Sequence, residues 1–127
     1  MKTHSIENEK IISRDSSSVL LEFNVPAESD FFDGHFPQVK LLPAVGQFEI
    51  ISRFAGKYFG IPRSVSSLRR MKFSAPILPD SDVVMKLEYD AEKNSVAFRL
   101  WSAMDEKRIF SSGAFVPFAS MKGTGNE

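Results

Sequence analysis

The chain has 127 residues, 43% hydrophobic and 25% charged, which suits one globular domain with a core that needs no staples. With 16 basic and 16 acidic residues its net charge is zero, which argues against a nucleic-acid partner held by bulk positive charge. Cysteine is absent and there are two histidines, His4 and His35, so disulfides, thiol nucleophiles, Cys-ligated zinc, iron–sulfur clusters and His-rich metal sites are excluded.

The opening residues Met1 to Glu7 lack the apolar stretch of a signal peptide. No apolar run approaches the roughly 18 residues of a membrane span. A cytoplasmic protein with no membrane and no nucleic-acid partner is the expectation. Residues 8–14, with the pair Ile11 and Ile12, suit a short edge strand, and Arg14-Asp15-Ser16-Ser17 suits a turn. Over residues 18–26 Val19, Leu21, Phe23 and Val25 share one face, which is the period of a half-buried strand ended by Pro26. Residues 27–42 show no period, and an irregular connection this long is usually functional.

The stretch from about 43 to 59 reads as a helix. Pro43 suits its first position, and Gly60 and Pro62 stop it. Val45, Phe48, Ile51, Ser52, Ala55 and Phe59 form one broad face, and Ile50 and Phe54 lie on the far side. A helix apolar on two sides is enclosed. Its narrow polar arc holds Glu49, Arg53 and Lys57. Four strands follow at 65–74, 82–90, 95–103 and 108–118, with short connections. The polar residues 121–127 suit a disordered tail. The fold class expected is α+β: one domain over residues 1–120, with a mainly antiparallel sheet wrapped around one long helix. Twelve phenylalanines against one tryptophan and two tyrosines call for a flat apolar space, either core or an acyl-sized slot.

Four features could carry chemistry. His35 lies in the aperiodic loop between Gly34, which lets the chain bend, and Phe36-Pro37, which fixes it. Its imidazole suits proton transfer near neutral pH, although a lone loop histidine is often inert. Glu49 has Val45, Gly46, Ser52, Arg53 and Gly56 as axial neighbours. It is either a surface carboxylate paired with Arg53 at i+4 or a carboxyl at the edge of a slot, where partial burial favours its acid form. The N–H groups of Ala44 and Val45 at the helix start could stabilise an enolate oxygen. The cluster Arg63, Arg69, Arg70 and Lys72 is either a solvated strand face or a docking patch for an acidic partner.

The segment Gly34-His35-Phe36-Pro37, continuing through Leu41-Leu42-Pro43-Ala44-Val45 to Glu49, resembles the signature of the hot-dog-fold 3-hydroxyacyl-acyl-carrier-protein dehydratases. In that family an acidic residue follows the histidine by fourteen positions, as Glu49 follows His35. A second block, Met71 to Asp82, is similar to the family's Lys/Arg-Phe-x-x-Pro-Val-x-Pro-Gly-Asp segment. The resemblance covers about residues 8–118. It implies that His35 takes the C2 proton of a 3-hydroxyacyl thioester, that Glu49 protonates the departing hydroxyl, and that the Ala44 N–H holds the thioester carbonyl. Phe36, Pro37 and Val45 would line the substrate site. The product is a trans-2-enoyl thioester. The substrate would be carried by acyl-carrier protein or coenzyme A, with no cofactor and no metal. In this family the histidine and the acid of one site come from two subunits, so a homodimer or a dimer-based assembly is implied.

Several positions depart from the family pattern. Ala44 replaces a glycine and Lys40 a proline. Arg53 stands where the long-chain enzymes have glutamine, and Gln47 where they have an aliphatic residue. Arg53 beside Glu49 would weaken it as an acid. Two alternatives stay open: a hot-dog thioesterase that uses Glu49 with water, and a non-catalytic acyl-thioester-binding subunit.

Overall fold

The structure is a computed structural model that describes residues 8–26, 44–62 and 65–117. In chain order its elements are β1 (Lys10–Arg14), β2 (Ser18–Val25), α1 (Ala44–Phe59), β3 (Val65–Phe73), β4 (Ser81–Asp90), β5 (Ser95–Ser102) and β6 (Asp105–Pro117). The strands form one six-stranded sheet in the order β1-β2-β4-β5-β6-β3, antiparallel at every pairing.

Local chemistry makes the turns. The Asp15 carboxylate accepts hydrogen bonds from the Ser17 and Ser18 N–H groups at 2.9 and 2.8 Å, which reverses the chain between β1 and β2. Asp90 does the same for Glu92 and Lys93 at 3.0 and 3.2 Å, and Asn94 takes the left-handed conformation that closes this turn. Ser102 pairs with Asp105, so β6 begins at Asp105, where the sequence suggests a turn running to Lys107. Gly60, at φ 67°, ends α1 with its N–H on the Gly56 carbonyl at 3.0 Å.

The alternation in β2 is as the sequence implies, since Val19, Leu21, Phe23 and Val25 are all buried. From β4 come Val83, Met85 and Leu87, and from β5 Val96, Phe98 and Leu100. Onto this surface α1 lays Ile50, Ile51, Phe54 and Ala55. Phe23 meets Phe54 at 5.3 Å between ring centroids, and Phe48 meets Phe115 edge-on at 5.2 Å. The helix is enclosed, as its two apolar sides imply. Phe23, Phe54, Phe98, Phe110 and Phe115 are spent on the core. Among the described residues no helix is long and apolar enough to cross a membrane.

Two features go beyond the reading of the sequence. First, β3 does not pair with β4, its neighbour in sequence, but lies at the opposite margin beside β6. The link between them crosses the sheet. It begins with the Ser74 N–H on the Phe110 carbonyl at 2.9 Å and ends with the Asp80 N–H on the Val25 carbonyl at 2.7 Å. Ile77 plugs the core midway, with no exposed surface. Second, β3 does not alternate throughout. A bulge lies between Arg69 and Lys72, with Arg70 at φ 50°.

Candidate active site

Glu49 lies in the second turn of α1 and is half-buried. Two neighbours on the helix fix its surroundings. Arg53 Nη2 donates to Glu49 Oε2 at 3.0 Å, and the Ser52 hydroxyl donates to the Glu49 carbonyl at 3.0 Å. The i+4 pair that the sequence allows is therefore formed. Its side chains are 25% exposed for Arg53 and 32% for Glu49, a setting between the surface and the core.

The crossing link holds the start of the helix in place. Gln47 is 1% exposed, and its Nε2 donates to the Ala75 carbonyl at 2.9 Å. The Ala75 N–H bonds in turn to the Phe110 carbonyl of β6 at 3.3 Å. A polar residue at position 47 thus ties α1 to the sheet through the link, a role that the sequence did not reveal. The backbone carrying Glu49 is anchored two residues upstream.

Ala44 and Val45 open α1, so by helix geometry their N–H groups have no acceptor within the helix. His35, Phe36 and Pro37 lie outside the described residues, as does Arg63. Arg69, Arg70 and Lys72 are exposed on β3.

The third member of the polar arc, Lys57, turns to another partner. It bonds the Glu9 carboxylate, which also accepts from the Tyr58 hydroxyl at 2.7 Å. Arg14 Nη2 donates to the Tyr58 carbonyl at 3.2 Å, and its guanidinium stacks over the Tyr58 ring at 5.0 Å. The Glu9 side chain is 5% exposed. Burial pushes its carboxyl up, but the bonds from Lys57 and Tyr58 outweigh burial and hold it below the usual 4.5. Burial, with Glu9 beside it, pushes the Tyr58 phenol up to about 12. This cluster pins the start of β1 to the end of α1. No period or motif signals it, because its members come from segments about fifty positions apart.

Comparison with known proteins agrees with this architecture. The ApeI-like family model, described as ApeI dehydratase, matches residues 11–114. The 3-hydroxyacyl-[acyl-carrier-protein] dehydratase FabZ of Aliivibrio fischeri is 29% identical over 83 residues, covering 58% of this chain and 55% of that protein. The FabZ of Chlamydia muridarum is 28% identical over 92 residues, covering 64% and 60%. The chain thus spans little more than half the length of these curated relatives. Among solved structures, the dehydratase heterocomplex ApeI:P from Xenorhabdus doucetiae superposes with a TM-score of 0.73 at 24% identity, over 90% of this chain and 96% of that one. A hypothetical thioesterase protein from Streptococcus pneumoniae superposes with a TM-score of 0.62 at 13% identity, covering 87% of this chain and 84% of that one. These superpositions show a shared hot-dog fold.

Proposed function

The chain belongs to the ApeI-like dehydratase family, and from that membership we propose that it dehydrates a (3R)-hydroxyacyl thioester carried on an acyl-carrier protein. The C2–H and C3–O bonds break, the C2=C3 bond forms, and water leaves behind a trans-2-enoyl thioester. The place of this step is fatty-acid or related acyl-chain synthesis in the cytoplasm. His35 takes the C2 proton. Glu49 gives a proton to the departing hydroxyl. The Ala44 N–H receives charge on the thioester oxygen as the C2 proton leaves. Phe36, Pro37 and Val45 border the substrate.

The observation that carries this reading is Glu49 itself. It is a half-buried carboxyl on an enclosed helix, anchored from both sides, fourteen residues after the one histidine of a Gly-His-Phe-Pro segment. The working unit is a homodimer or an assembly of dimers. The open backbone edge of β3, with Leu68 56% exposed, supports this because a second copy would cover it.

Turnover of short, medium and long 3-hydroxyacyl thioesters tests the proposal, followed by the enoyl absorbance. His35→Ala and Glu49→Gln should each abolish dehydration while the assembly persists in light scattering. Release of free thiol instead of enoyl product would mark a thioesterase. Tight binding of the acyl thioester with no turnover would mark a binding subunit.

A further inference from the structure

Three polar residues are buried among the described residues: Gln47, Ser52 and Ser111. Ser52 uses its hydroxyl on its own helix, at the Glu49 carbonyl. Gln47 reaches out of the helix, and its Nε2 donates to the Ala75 carbonyl at 2.9 Å. The link that carries Ala75 is itself held at both ends and in the middle. The Ser74 and Ala75 N–H groups bond the Phe110 carbonyl at 2.9 and 3.3 Å, and the Asp80 N–H bonds the Val25 carbonyl at 2.7 Å. Ile77 between them has no exposed surface. Gln47 therefore ties the first turn of α1 to a fixed reference on the sheet.

The rest of the buried helix face is apolar, with Ile50, Ile51, Phe54 and Ala55 in the core. Apolar burial has no preferred direction, so it presses α1 onto the sheet without sharply setting its rotation. A hydrogen bond has a preferred length and angle, and sets both. An aliphatic side chain of similar size would fill the same space with no amide to satisfy, so the amide contributes direction rather than burial. Two residues further on, at about 100° per residue, Glu49 stands about 200° around the helix from Gln47. The exposures agree, 1% for Gln47 and 32% for the Glu49 side chain. A side-chain tip lies about 5–6 Å from the helix axis, so turning α1 by about 10° moves it by about 1 Å. A misplacement of that size at a reacting group is worth about a hundredfold in rate.

We propose that Gln47 is a positioning residue of the dehydration: its bond to the Ala75 carbonyl sets the rotation of the first turns of α1, and so aims the Glu49 carboxyl and the Ala44 N–H at one substrate. Gln47 touches no substrate and moves no proton. The reaction rests on the dehydratase reading. The mechanical part, that Gln47 aims Glu49, does not depend on it.

The test compares the full chain in wild type and three variants, with folding checked by circular dichroism. Gln47→Met keeps the length and loses the donor. Gln47→Asn keeps an amide too short to reach Ala75, and serves if the first variant does not fold. Gln47→Glu is the rescue, because a buried glutamic acid stays protonated and its O–H can donate to the Ala75 carbonyl. In Gln47→Met and Gln47→Asn kcat should fall about tenfold or more while KM stays within about twofold of wild type. Gln47→Glu should return kcat to within about threefold. Unchanged kcat in the first two variants, with or without a lower melting temperature, would overturn the proposal and leave Gln47 a purely structural role. A rise in KM alone would overturn it and place Gln47 in substrate binding. Equal losses of kcat in all three would overturn it too, since the donor would then be irrelevant. If wild type dehydrates no 3-hydroxyacyl thioester, the dehydratase reading fails, and the carbon-13 resonance of the Glu49 carboxyl, assigned with Glu49→Gln, decides the mechanical part. That resonance should shift in Gln47→Met and Gln47→Asn and return in Gln47→Glu, and a constant position would overturn the aiming of Glu49 by Gln47.

Discussion

Arg53 grips Glu49 across one turn of α1, with Nη2 and Oε2 3.0 Å apart. That bond fixes where the Glu49 carboxyl sits on the helix face, and a proton donor acts only from the right position. Under the proposed reading the Arg53→Gln variant is therefore expected to dehydrate more slowly, by a factor of about three to ten. The pair is partly exposed, so its loss should cost only about 0.5 kcal/mol of stability. Initial rates and a melting curve check both. A variant as fast as wild type would show that Arg53 is not needed to hold Glu49 in place.

The bond proposed from the Ala44 N–H to the substrate would use the backbone alone. Ala44→Gly should therefore keep or raise the rate, at a cost of about 1 kcal/mol in helix stability. Steady-state kinetics beside urea denaturation separate the two effects. A large loss of turnover in a folded variant would mean that the methyl group is required.

Glu9 links pH to stability. Its carboxyl is held below 4.5 in the folded chain, so it contributes stability above that value and loses it as pH falls through the folded value. Glu9→Gln should cost about 1–3 kcal/mol at neutral pH and progressively less toward pH 3. Urea denaturation of both proteins across that range measures it. A constant difference would mean that the carboxylate charge contributes nothing.

Tyr58 should show the opposite sign. Its phenol is pushed up to about 12, so its contribution is intact below 10 and is lost as pH rises through the folded value. Ultraviolet titration should find a late tyrosinate step that Tyr58→Phe removes. The same variant should lower stability by about 1 kcal/mol at neutral pH, because the buried Glu9 loses a donor.

Gly113 permits the bulge. A Cβ there would sit 2.7 Å from Met71 Sδ and 3.1 Å from Met71 Cα, on a backbone at φ 154°. The sulfur can swing away but the backbone cannot, so Gly113→Ala should destabilise the protein by about 2–4 kcal/mol. Melting temperature and urea denaturation, measured beside wild type, test it.

Much of the architecture is legible in the amino-acid order, because it rests on short-range periodicity. The alternation Val19, Leu21, Phe23, Val25 is buried as written, and α1 runs Ala44–Phe59 where Pro43 and Gly60 bound it. Glu49 and its i+4 partner Arg53 are readable for the same reason, since helix geometry alone brings them together. The family signature around His35 and Glu49 is also a matter of spacing along the chain.

What the sequence could not disclose are contacts made between distant segments. The place of β3 beside β6 follows from a seven-residue link that crosses the core with Ile77 as its plug. The grip of Gln47 on Ala75 needs that crossing to exist first. The Glu9–Lys57–Tyr58 cluster joins the start of β1 to the end of α1. Alternation assigns Arg69 and Arg70 to opposite faces, and the packing of β3 against Gly113 sets them on one. Amino-acid order determined the elements, their buried faces and the acid on the helix, because those depend on neighbours a few residues away. Tertiary structure decided the order of the strands, the anchors of the helix and the gathering of charge on the outer face, because each needs residues that are neighbours only once the sheet has closed on α1.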